Sequence, residues 1–230
     1  MKQFLIGIGL LFSSLVLAQA GFISSYHPYP KAKKITVRTC KSNATGFSCP
    51  HGRVLIRRTA MGEQQVTLDL FGQRLPIRFE TMPNFVSDVW NSDLNQDGKA
   101  DLIIKISWGG NGIIADGNQT VFALSSATGH QLSTLDMITF DPNALIFLRG
   151  KPTVLHTALV NADSRRTGRS HNFWVFHPFE IRGAQLLKNQ SPIWIQYTNK
   201  PSHGRTNKLT ALEKQTALKA NPIRFFIPMH

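Results

Sequence analysis

Val66-Thr67-Leu68-Asp69-Leu70-Phe71-Gly72-Gln73-Arg74-Leu75-Pro76-Ile77-Arg78-Phe79 holds the grammar of the whole chain in one stretch. Val66, Leu68 and Leu70 share one face of an extended segment, and Thr67 and Asp69 share the other. That period-2 alternation marks a half-buried strand. Phe71-Gly72 reads as a tight turn, and the chain returns from Leu75 to Phe79 as a partner strand. Pro76 has no ladder N–H to donate, so this second strand belongs at a sheet edge or a bulge.

The same pattern recurs on both sides. Short apolar runs at 54–58, 102–107, 120–125, 144–148, 153–160, 172–176 and 193–197 read as strands. Gly109-Gly110-Asn111-Gly112, Ala127-Thr128-Gly129 and Asp141-Pro142-Asn143 punctuate them as turns. Residues 209–220 place Leu209, Leu212 and Leu218 at roughly helical spacing before the Asn221-Pro222 stop, and 224–227 reads as a last strand. The expected fold is mainly β, a single antiparallel domain with a short C-terminal helix. The alternative is α+β. No internal repeat is visible, which argues against a solenoid or propeller built from stacked copies.

At the N-terminus, Lys2 precedes an apolar run from Phe4 to Leu17, and Ala18-Gln19-Ala20 forms a small-x-small cleavage site. This is the pattern of a cleaved signal peptide over 1–20, predicting a mature start at Gly21. The run is shorter than the ~20 residues a spanning helix needs, and no later stretch suffices. Residues 21–34 read as an extended lead-in and 35–230 as one β-rich domain, in the periplasm or outside the cell. In that compartment Cys40 and Cys49 read as a disulfide. Two free thiols, or half of a metal site with His51, are the competing readings.

The chain has 26 Lys plus Arg against 13 Asp plus Glu, a formal net charge of +13. Such a balance suits an anionic polymer or surface, or serves solubility alone. A protein partner is equally compatible. Arg165, Arg166 and Arg169 form the best local anion-binding candidate, because guanidinium groups fork onto carboxylate or phosphate.

Against this basic background stands Asp93-Leu-Asn95-Gln-Asp97-Gly98-Lys99-Ala-Asp101, with three of the 13 acids. Oxygen side chains at alternate positions let a turn aim them at one centre, as Ca2+ requires with its six to eight oxygen ligands. Gly98 gives the backbone freedom to turn, the Lys99 carbonyl falls at the seventh position, and Asp101 closes the set. The twelfth position, Ile104, is not the Glu of an EF-hand, and a strand follows instead of a helix. The competing reading is a solvated Asp-Gly turn.

Over Val89 to Ser107 this Asp-x-Asn-x-Asp-Gly-x-x-Asp pattern followed by a strand resembles the calcium loops of FG-GAP and VCBS repeats. Those families carry the motif in tandem, whereas here it occurs once. The resemblance implies a β context and calcium held by Asp93, Asn95, Asp97, Lys99 through its carbonyl, and Asp101.

Enzyme motifs are sparse. There is no Gly-x-Ser-x-Gly elbow, no His-Glu-x-x-His, and no evident carboxylate pair for glycoside hydrolysis. Trp108-Gly-Gly-Asn-Gly112 lacks the Lys-Ser/Thr ending of a P-loop. His171 and His177 share a strand face but lie about 20 Å apart at ~3.3 Å per residue, too far for a common metal. His156 reads as a hydrogen-bonded core residue. The leading expectation is an exported calcium-binding β domain that engages anionic partners, and the alternative is an exported hydrolase acting on an anionic polymer.

Overall fold

The computed structural model describes residues 27–58, 64–77, 85–107, 118–137, 140–164, 168–188, 190–197, 209–220 and 225–226. Along them run β1 (Arg38–Thr39), β2 (Lys41–Asn43), β3 (Gly46–Cys49), β4 (Gly52–Arg58), β5 (Gln64–Leu70), β6 (Gln73–Ile77), β7 (Phe85–Ser92) and β8 (Asp101–Ser107). Then come β9 (Asn118–Ser126), β10 (Gly129–Met137), β11 (Leu145–Leu148), β12 (Lys151–Ser164), β13 (Arg169–Arg182), β14 (Gln185–Lys188), β15 (Ile193–Gln196), the helix α1 (Ala211–Ala220) and β16 (Phe225–Phe226). The protein is mainly β, as its alternating runs imply.

The strands form three antiparallel sheets. One is the meander β2-β3-β4-β5-β6, another has the order β1-β7-β8-β9-β10-β16, and the third runs β11-β12-β13-β14 with β15 on β13. The second sheet is a middle layer with both faces covered. Leu102, Ile104, Ile106, Val121 and Ala123 pack against Val54, Val66, Leu68 and Leu75 of the meander. Ile103, Phe122 and Leu124 point the other way, onto Leu145, Val154, Phe179 and Ile181 of the third sheet. This explains why Leu102-Ile-Ile-Lys-Ile106 is an almost unbroken apolar run: alternate residues serve different cores. Each such fully buried side chain contributes about 1.5–3 kcal/mol, and truncating Ile104 to Ala would cost about 2–5 kcal/mol.

The Val66–Ile77 hairpin forms as expected, with Val66 opposite Ile77 and Leu70 opposite Gln73; Arg78 and Phe79 lie outside the described residues. Phe71 at φ +48° and Gly72 at φ +82° make its two-residue turn. Pro76 lies in β6, which is an edge strand of its sheet. Cys40 and Cys49 are joined in a disulfide, with Cα atoms 4.7 Å apart, and Cys40 is buried in the meander-side core.

In the third sheet β12 and β13 pair from Thr153↔Glu180 to Ser164↔Arg169. Phe173 and Val175 belong to a cluster covered by Leu209 and Ala217, while Trp174 and Phe176 belong to another on the opposite face. Helix α1 begins with a capping box: the Glu213 amide donates to Thr210 Oγ1 at 3.2 Å and the Thr210 amide to Glu213 Oε2 at 2.6 Å. Its buried stripe differs from the expected one. Leu212 is exposed, because it lies about 140° around the helix from the buried Ala217.

Strands β7 and β10 and the short β1, β2, β3 and β14 were not among the expected ones. β7 shifts register between Val86 and Asp88, which breaks the alternation, and β10 buries Ser133 and Thr134 among its apolar residues. The 108–112 glycine stretch lies outside the described residues. So do residues 1–26, including the expected signal segment and part of the lead-in. Among the described residues no helix is long and apolar enough to cross a membrane.

Candidate metal loop and adjoining clefts

The acidic loop closes the hairpin between β7 and β8, whose last pair is Ser92↔Asp101. Two left-handed residues, Gln96 at φ +63° and Gly98 at φ +80°, curl the backbone between them. The amide of Asp97 points at two oxygens together, Asp93 Oδ1 at 3.0 Å and Asn95 Oδ1 at 3.2 Å. Asp93 Oδ2 accepts from the Gly98 amide at 3.0 Å, and Asp97 Oδ1 from the Lys99 amide at 2.9 Å. The loop is thus wound around its own acidic side chains.

A second set of bonds ties the loop to β9. Asn95 Nδ2 donates to the Ser125 carbonyl at 2.9 Å, and Ser125 Oγ donates to Asp97 Oδ2 at 2.8 Å. Burial pushes the Asp97 carboxyl up, but the Lys99 amide, the Ser125 hydroxyl and the Lys99 charge outweigh it and hold it below the ordinary value.

Asp101 differs from the others. It is fully buried. Its Oδ2 accepts the amides of Leu94 at 2.6 Å and Asn95 at 3.3 Å, and its Oδ1 accepts that of Ser125 at 2.7 Å. Burial nevertheless raises its pKa, against the pull of those amides.

These donors fit a hard cation on chemical grounds. Each carboxylate oxygen of Asp93 and Asp97 keeps lone-pair capacity beyond its one hydrogen bond, and both side chains are open to solvent while Asn95 is half-buried. Carboxylate, amide and carbonyl oxygens are what calcium takes. Among the described residues no three His, Cys, Asp or Glu side chains gather as a metal cluster. Besides its carboxylates the loop offers the Asn95 side-chain oxygen, which faces the same Asp97 amide as Asp93 Oδ1.

Two clefts flank the loop. One, about 320 Å³, is lined by residues including Arg38, His51, Asn91, Asp93 and Lys99. The other, about 690 Å³, is lined by residues including Phe71, Gln73, Lys99, Ser126, Thr128 and His130. His130 Nε2 meets the Ala100 carbonyl at 3.0 Å, and Gln73 Oε1 accepts the His130 amide at 2.9 Å. Phe71 stacks near-parallel on both His51 and His130.

Of the anion-binding candidates, Arg165 and Arg166 lie outside the described residues, as does the side chain of Arg169. His156 is a buried core residue with Nε2 against the Asp136 carbonyl. Arg38, Phe71 and His130, which border these clefts, were not among the expected site residues, and His51 was weighed only beside Cys40 and Cys49. Phe71-Gly72 offered the one signal: a bulky ring stands where a turn of this kind favours Asn or Asp. The chain matches no family model, no curated protein and no solved structure.

Proposed function

We propose that the protein is an exported β domain in which calcium orders the Asp93–Asp101 loop, and that it binds anionic partners through its basic surface. The observation supporting the metal is the convergence of Asp93 Oδ1 and Asn95 Oδ1 on the single Asp97 amide, two ligand-type oxygens at positions one and three aimed the same way. Asp93, Asn95, Asp97 and the Lys99 carbonyl would hold the ion, and Asp101 either completes the set or clamps the loop behind it. The ion would neutralise clustered carboxylates and fix the loop against β9. Its role is a structural staple, not a sensor.

The charge balance of +13 supports the anionic partner, and the apolar N-terminal segment supports export. Equilibrium dialysis tests the metal: one calcium per chain, lost in Asp93→Asn/Asp97→Asn, is the expected result. No binding above the double variant would remove the proposal's basis. Mass determination of the exported form tests the second element, with a start at Gly21 expected.

A hydrolase acting on an anionic polymer is the second reading. It is favoured by the cleft that brings His51, Asp93 and Arg38 together beside the loop. Depolymerisation assays on acidic polymers, with His51→Gln as the control, separate it from a binding role.

A further inference from the structure

Phe71 is out of place in two respects. It occupies the first of two left-handed positions in its hairpin turn, where a Cβ-bearing bulky side chain is disfavoured and Asn, Asp or Gly fits. It also leaves 64% of its surface in solvent. Folding and core packing therefore give no reason for a phenyl ring there, and strained residues of this sort gather at functional sites.

Its surroundings supply a reason. The ring planes of His51 and His130 lie within 11° and 9° of its own, with centroids 5.9 and 5.7 Å away. Both centroid separations exceed the ~3.5–4 Å of face-to-face contact, and the ring keeps most of its surface in solvent. Phe71 lines the 690 Å³ cleft, whose remaining lining includes Gln73, Ser126, Thr128 and Lys99. A pocket of this size with one apolar wall and a few polar groups has the form of a small-ligand site.

We infer that this cleft binds a sugar unit of an acidic polysaccharide, with the C–H face of the ring on Phe71, hydroxyls toward Gln73 and Thr128, and a carboxylate toward Lys99. Among the described residues lining the cleft neutral hydrogen-bonding groups outnumber cations, Lys99 being the one Lys or Arg of them. A ligand rich in hydroxyls and sparsely charged matches that lining. A single-stranded nucleic acid would instead call for a series of aromatics along a basic groove. The inference rests on the calcium reading in one respect: Lys99 lies on the metal loop, with Nζ 3.2 Å from the Ser126 carbonyl, so ordering the loop places its charge at the cleft.

Affinity electrophoresis of the full chain in gels containing polygalacturonate or uncharged dextran tests this, with terbium luminescence read on the same samples. Retardation by polygalacturonate alone is expected. Phe71→Asn keeps the turn and the net charge, and is expected to weaken retardation roughly five- to tenfold, the worth of an aromatic contact. Lys99→Gln keeps the backbone carbonyl and is expected to weaken it as well. Equal retardation of native protein and Phe71→Asn would mean that bulk charge does the binding, and overturns the inference. So does equal retardation by dextran, or displacement of polygalacturonate by a lower concentration of single-stranded oligonucleotide. If terbium fails to bind while Phe71-dependent retardation persists, the metal reading falls and the cleft stands.

Discussion

Asp101 in β8 accepts the amide hydrogen of Ser125 in β9 at 2.7 Å, with its other oxygen on the Leu94 and Asn95 amides. One buried carboxylate therefore fixes both ends of the acidic loop and its distance from the next strand. Asp101→Asn replaces one acceptor oxygen by a donor that faces backbone N–H groups. Leaving a buried donor unsatisfied costs about 1–3 kcal/mol, and urea denaturation will show a loss of that size. Asp93→Asn, on the exposed side of the loop, will lose less in the absence of calcium.

If calcium occupies the loop as proposed, it will stabilise the fold by mass action. At ten times its dissociation constant the gain is about 1.4 kcal/mol, which raises the melting temperature by roughly 3–6 °C for a chain of this size. Differential scanning calorimetry with calcium and with chelator measures it. Burial raises the pKa of Asp101, so its ionised form costs stability at neutral pH, and a nearby divalent charge relieves part of that cost.

His156 and His177 face each other across β12 and β13, ring centroids 5.5 Å apart. Burial depresses them to about 4 and about 3. Around them stand the Asp136 carbonyl, Phe179 and the Lys188 charge, which also disfavours protonation. The unfolded chain takes up protons from about pH 6.5 downward while the folded rings do not. Stability is therefore intact above that pH and falls on acidification, until each ring protonates in the fold. Each ring contributes up to about 1.4 kcal/mol per pH unit. Asp101 works in the opposite sense, since its ionisation cost relaxes as it protonates. Both ring nitrogens of His177 are buried without a hydrogen-bond partner among the described residues. His177→Leu will accordingly stabilise the protein at neutral pH and flatten the slope between pH 6.5 and 4, as chemical denaturation across that range will show.

Cys40 and Cys49 tie the start of the meander to its second strand across nine positions. Replacing both with Ser removes a short-loop constraint worth roughly 2.5–3 kcal/mol on the chain-entropy model. Cys40 is buried among apolar neighbours, so the introduced hydroxyl adds to the loss. Comparison with Cys40→Ala/Cys49→Ala isolates that second part.

What the sequence made legible follows from local rules. Val66 to Leu70 alternates because one face of β5 is buried, and Phe71-Gly72 turns because the pairing leaves it two residues. The acidic phasing 93, 95, 97 placed the loop, and Cys40 with Cys49 placed the staple. What stayed hidden depends on distant contacts. Leu102 to Ile106 looked like a buried strand, yet its service to two separate cores appears only when the meander and the third sheet cover opposite faces. His51 and Phe71 come from two separate turns and His130 from the start of β10, and nothing local announces that they stack. The role of Asp101 as a loop clamp requires Ser125, 24 residues away.

The proposed assignment of calcium to the Asp93–Asp101 loop is tested most directly by terbium luminescence, excited through tryptophan, with calcium as competitor. Trp90, in the strand that leads into the loop, is the expected donor. Saturable emission at one terbium per chain, displaced by calcium and abolished in Asp93→Asn/Asp97→Asn, is the predicted result. Emission that does not saturate, or that persists unchanged in the double variant, would contradict the assignment of calcium to this loop.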